Sequence, residues 1–116
     1  MIKETQVKEI LESNIPEMQI ETAQLKSLYK TIDRFAAFTK EMMREGNLPL
    51  IRDCFTTAEY LLDGGTTNIK LAIENIYVFT ITGFMDITGA VSKQVKELMP
   101  AHLKESYQKQ VCYRCP

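Results

Sequence analysis

Between Ile69 and Ile87 the chain is too apolar to lie on a surface and too charged to lie in a membrane, and this stretch constrains the fold more than any other. Ile69, Ala72, Ile73, Ile76 and Phe79 recur at helical spacing as one stripe. Leu71, Val78 and Ile81 form a second, leaving little polar face. Lys70, Glu74, Asn75 and Asp86 interrupt the run, so a spanning helix would bury charge in hydrocarbon. A helix apolar nearly all round has to be covered on most sides, which predicts a central helix surrounded by the others. The β-branched residues of Val78-Phe79-Thr80-Ile81-Thr82 also suit a buried strand, but no second strand is at hand to pair with it.

The covering helices are readable on either side. Val7, Ile10 and Leu11 mark a short helix between Thr5 and Asn14, stopped by Pro16. Leu25, Leu28, Tyr29, Ile32, Phe35, Ala36, Thr39, Met42 and Met43 follow the i, i+3, i+4, i+7 rule, and Gly46-Asn47 supplies a left-handed stop. After Pro49, Ile51, Cys54, Phe55, Ala58, Leu61 and Leu62 make one stripe ending at Gly64-Gly65. Thr66 or Thr67 then caps the central helix, which Gly83 or Gly89 loosens or ends. Val91, Val95 and Leu98 suggest a short fifth helix, and Pro100 begins a sixth carrying Leu103, Tyr107 and Val111.

At 116 residues, with 5 Gly and 4 Pro and no segment repeated at a fixed period, there is room for one core. The expected fold is all-α: a single domain over residues 1–116, built as a compact bundle of about four main helices with shorter terminal ones, with 112–116 as a flexible tail. The 6 Met and several apolar stripes can pack within one chain or across a homodimer.

A formal net charge of −1 argues against a main role in neutralising nucleic-acid phosphates. The ends are oppositely charged. Glu4, Glu9, Glu12, Glu17 and Glu21 outweigh Lys3 and Lys8, while Lys93, Lys96, Lys104, Lys109 and Arg114 outweigh Glu97 and Glu105. Either the terminal helices lie close together or are simply solvated, or the basic end meets an acidic partner. Met1 to Gln6 lack the basic start and apolar run of a secretory signal, and the 3 Cys are an odd number in a domain large enough to fold without bridges. Both features point to a cytoplasmic chain with reduced thiols and no membrane association.

Few residues suggest chemistry. Cys112-Tyr113-Arg114-Cys115 has the spacing that converges two thiols for zinc or for a disulfide. Zinc needs four ligands, though, and only Cys54 and His102 remain, so inert thiols are expected. His102, the one histidine, stands at a helix start with no Ser, Cys or carboxylate placed to form an obvious nucleophile-base unit with it, as an exposed or capping residue would. Glu41 and Glu45 lie one turn apart opposite an apolar stripe, the usual place for solvated charge. Gly64-Gly65-Thr66-Thr67 precedes a helix without the lysine spacing of a phosphate loop. The helix after this turn is too apolar to read DNA as the second element of a helix-turn-helix. Asn68 and Asn75, if buried, would set helix register or line an internal pocket. Lys26, Lys30 and Arg34 form a basic spine at i, i+4, i+8, partly offset by Asp33: a solvated face, or a surface for an acidic partner.

The segments Gly65-Thr66-Thr67-Asn68-Ile69-Lys70-Leu71-Ala72-Ile73-Glu74-Asn75-Ile76-Tyr77-Val78-Phe79 and Leu98-Met99-Pro100-Ala101-His102-Leu103-Lys104-Glu105-Ser106-Tyr107 resemble a family of small bacterial all-helical proteins described only as a domain of unknown function. The resemblance covers most of the chain. It implies a bacterial origin and a helical fold, and it brings no catalytic residues.

The expected function is therefore non-enzymatic, without cofactor or metal: a protein-protein interaction module, accessory, antitoxin-like or immunity-like, that meets a protein partner through Lys26, Lys30 and Arg34. The rival is a small-molecule or metal-binding bundle using the Cys112 and Cys115 pair or Asn75. A third reading is transcriptional regulation through the basic spine, which predicts salt-sensitive DNA binding.

Overall fold

The Gly46-Asn47 turn shows how tightly local signals set the helix boundaries. A computed structural model describes residues 2–18, 27–88 and 92–114, with side chains through 84 and again over 95–109. Helix α1 spans Glu4–Asn14, α2 Leu28–Glu45 and α3 Leu48–Gly64. Ser27 opens α2 by accepting from the Tyr29 N–H. Gly46 ends it at φ 72°, a left-handed conformation, so that Gly46 and Asn47 can return N–H groups to the carbonyls of Met43 and Met42. Asn47 then turns its side chain to the Leu50 N–H and opens α3, with Pro49 in the first turn, where a missing N–H costs nothing.

Thr66 caps the next helix through the Ile69 N–H. That helix runs without a break as α4 (Thr67–Ala72), a π segment (Ile73–Val78) and α5 (Phe79–Thr88). Gly83 lies inside α5 and does not end it, and Gly89 falls outside the described residues. The short α6 (Ser92–Glu97) and the longer α7 (Ala101–Arg114) complete an all-α fold. The backbone of Cys112, Tyr113 and Arg114 is part of α7, where a tail was expected; Cys115 lies outside the described residues.

The π segment packs on α2, α3 and α7, which makes this helix the centre of the molecule as its composition demanded. Helix α1 packs on α2 and α3, and α7 on α3, the π segment and α5, so the oppositely charged terminal helices both lean on α3 and share no extensive contact. Before α1, Ile2 donates its N–H to the Gly64 carbonyl at 2.7 Å and accepts from the Thr66 N–H at 3.3 Å, tying the chain's start to the α3–α4 junction. Gly65 is needed there for space: a Cβ would stand 2.5 Å from the Leu61 carbonyl oxygen and 2.6 Å from Ile69.

The α3 stripe is buried as its spacing predicts, from Ile51 through Leu62. In α2, Ile32, Phe35, Ala36, Thr39, Met42 and Met43 are buried, but Tyr29 is 59% exposed. The central helix departs further from its 3.6-residue reading. Phe79 and Leu71, both expected inside, are 54% and 45% exposed, whereas Tyr77 is fully buried. The π segment explains the change: its wider turn accommodates an extra residue, so the inward face passes from Ile69, Ala72 and Ile73 to Tyr77, Val78, Ile81 and Thr82 instead of to Ile76 and Phe79. Asn68 and Asn75 are exposed and line no interior, so neither sets register within the chain.

Tyr77 stacks on Phe35 with ring centroids 4.4 Å apart. The Thr39 hydroxyl donates to the Phe35 carbonyl at 3.0 Å, which leaves the Tyr77 hydroxyl to donate to Thr39 at 2.9 Å. The buried phenol is thereby satisfied. Burial pushes the Tyr77 hydroxyl well above the usual tyrosine range and raises the nearby Cys54 thiol to about 12, so both are held neutral. Thr31, Thr57 and Thr82 likewise return their hydroxyls to the carbonyl four residues back.

Candidate functional site

Helix α7 begins after Leu98-Met99-Pro100, none of which has a side chain able to cap it. The cap comes from 43 residues away. Glu59, on the edge of the α3 stripe, accepts the Leu103 N–H on Oε1 at 2.9 Å and the His102 N–H on Oε2 at 3.3 Å. The same Oε2 stands 2.7 Å from His102 Nδ1. One carboxylate thus meets two of the orphan N–H groups of α7 and, by accepting from the Nδ1–H, fixes the orientation of the imidazole. Asp63, one turn further along α3, lies 4.0 Å from His102 Nε2.

The electrostatics reinforce the pair. Its hydrogen bond and charge attraction to Glu59, with smaller help from Asp63 and Glu105, raise the His102 pKa above its ordinary 6.5. Burial pushes the Glu59 carboxyl up, but the hydrogen bonds from the His102 ring and from the Leu103 and His102 N–H groups outweigh it, so its pKa lies below the ordinary 4.5. His102 borders a cleft of about 130 Å³ whose wall includes Lys70, Glu74, Ser106 and Lys109. A histidine oriented by a carboxylate beside a polar cleft can hold or pass a proton.

Sequence reasoning saw His102 without its partner. Glu59 carries no motif and stands next to the apolar stripe as any solvated glutamate would. The usable signal was the uncapped start of α7, because a helix end that supplies no cap of its own asks for a remote one.

Of the other sequence candidates, Lys30 and Arg34 are exposed on the outer face of α2, and Lys26 lies outside the described residues. Glu41 and Glu45 are exposed, with Glu41 accepting from Arg44 at 3.0 Å. Cys54 is a free, buried cysteine, and the side chain of Cys112 is not among those described. Among the described residues no group of three or more His, Cys, Asp or Glu side chains is placed to hold a metal ion. No described helix is long and apolar enough to cross a membrane.

Fold and site together define an all-α protein built around one central helix, its last helix capped from across the bundle. The chain belongs to the family described as "Domain of unknown function (DUF7674)", whose model matches residues 8–113. No curated protein gives a significant match. No solved structure does either.

Proposed function

We propose that this chain is a non-enzymatic protein-binding module of the bacterial cytoplasm, accessory or immunity-like, that engages an acidic partner through the outer face of α2. One observation carries the reading: Lys30 and Arg34, one turn apart on α2, are both exposed, and Tyr29 is exposed on the same helix. Lys30 and Arg34 have no ion-pair partner among the described residues. Like charges one turn apart repel slightly, and an opposing carboxylate relieves them. A tyrosine 59% exposed beside them offers the rigid, amphipathic surface that dominates many interfaces. Asp33, exposed on the same helix, softens the charge without cancelling it.

The test is affinity capture of the tagged chain from a lysate of its source organism, quantified against a Lys30→Glu, Arg34→Glu variant whose circular dichroism matches the parent. A single stoichiometric partner that is lost from the variant supports the reading. A partner retained by the variant, or none at all, overturns it. A second reading, a small-ligand site at the Glu59–His102 cleft, draws on the oriented imidazole. It predicts that a ligand perturbs the His102 ring resonances, which the α2 variant leaves unchanged.

A further inference from the structure

Helices α1 and α3 run antiparallel, with Ile2 bonded to Gly64 at one end and Asn14 sharing a cavity wall with Asp53 at the other. They are not zipped together on their outer side. A cavity of about 730 Å³ opens between them, walled by Ile2, Glu9, Ile10 and Tyr60 among others, and a second of about 230 Å³ continues it past Thr56 to Asp53. Both include Asn14 and Tyr60, so they form one groove. Gly64 and Asp53 bound it on α3, and the 11 residue steps between them at 1.5 Å each make it about 16.5 Å long, the reach of about five extended residues.

Among the described residues that line it, the groove's charge has one sign. Glu9 and Asp53 are the only carboxylates or cations among the described residues on its walls; both are exposed and neither is ion-paired to another described residue. Lys8, the nearest cation along α1, is drawn to Glu12 at 3.7 Å and does not line the groove. Glu17 adds to the acidity at the Asp53 end, where both charges act on Cys54. Tyr60, half exposed, lines both cavities, the one that Glu9 borders and the one that Asp53 borders.

We propose that this groove docks an extended, arginine-bearing segment of a partner protein. A guanidinium is planar, so it can stack on an exposed aromatic ring while its N–H fork reaches a carboxylate, and the groove offers Tyr60 with Glu9 in one cavity and with Asp53 in the other. Ile2 and Ile10 supply apolar contact for the intervening side chains. The site is separate from the α2 face, so the two readings stand or fall independently.

The test uses the full chain, isotope-labelled, titrated with a blocked Leu-Arg-Leu-Arg-Leu peptide, with free arginine and the Leu-Asp-Leu-Asp-Leu peptide as controls. The expected result is amide shifts confined to the groove (Glu9, Ser13, Asn14, Thr56 and Tyr60) that weaken with salt. Affinity falls about tenfold or more both in Tyr60→Ala and in Glu9→Lys, Asp53→Lys, as for an aromatic anchor and its paired charges, and is unchanged in Lys30→Glu, Arg34→Glu. The proposal is overturned by no shifts, by shifts elsewhere, by free arginine or the acidic peptide binding as well as the basic one, or by unchanged affinity in the groove variants.

Discussion

Replacing Glu59 by alanine removes both side-chain caps of α7 and the partner of His102 in one step. Losing a side-chain cap costs about 1 kcal/mol, within a range of roughly 0.5–2. In a domain of this size about 1 kcal/mol lowers Tm by about 4 °C. The cost depends on pH. Because the Glu59 pKa is depressed, its contribution is whole above pH 4.5 and fades as pH falls through the folded-state value. Because the His102 pKa is raised, its contribution is whole below pH 6.5 and fades as pH rises through the folded-state value. The pair is therefore at full strength only between 4.5 and 6.5. Urea unfolding at about pH 5.5 and about pH 9 should show the larger deficit for Glu59→Ala at the lower pH, since at the higher only the caps are lost. Glu59→Gln keeps a carbonyl oxygen for one backbone N–H and gives up the charge, so it should sit between parent and alanine at about pH 5.5. An alanine variant within about 0.5 kcal/mol of the parent at both pH values, as an ordinary surface change would be, refutes the remote cap.

Three further outcomes follow from the core and the turns. Thr39→Val strands the Tyr77 hydroxyl in the interior at a cost of about 1–3 kcal/mol, more than Tyr77→Phe, and the double variant should cost less than the sum in urea melts. Gly65→Ala drives a methyl against the Leu61 carbonyl and should lower Tm clearly more than Gly64→Ala, which meets only the flexible Ile2 side chain at 3.3 Å. In a Cys112→Ser, Cys115→Ser background, Cys54 should resist thiol reagents until the protein unfolds, because burial holds it as a thiol; stoichiometric labelling of the native protein at neutral pH would contradict its placement.

The remote partners were not legible from the sequence. Nothing near His102 along the chain announces Glu59, because a carboxylate becomes a cap only when packing of α7 on α3 brings it to the helix end. Tyr60 and Asp53 look like solvated α3 residues until α1 folds alongside and leaves a groove between. The exposure of Lys30 and Arg34 was readable, since it follows from the same period that buries the opposite face of α2.

Local physics was enough to determine the helices themselves. Apolar residues at a 3.6-residue period, a glycine free to adopt φ 72°, a proline where no N–H is needed and Thr66 at a helix start place α1, α2, α3 and the start of α4 without reference to anything distant. The rotation of the central helix was decided only by tertiary packing. Its sequence is apolar on more than one side, so periodicity alone could turn either Phe79 or Tyr77 inward. Phe35 and Thr39 on α2 break the tie, one stacking on the Tyr77 ring and the other accepting its hydroxyl. A π turn takes up the extra residue and leaves Phe79 outside, because a buried phenol needs an acceptor and only the assembled bundle supplies one.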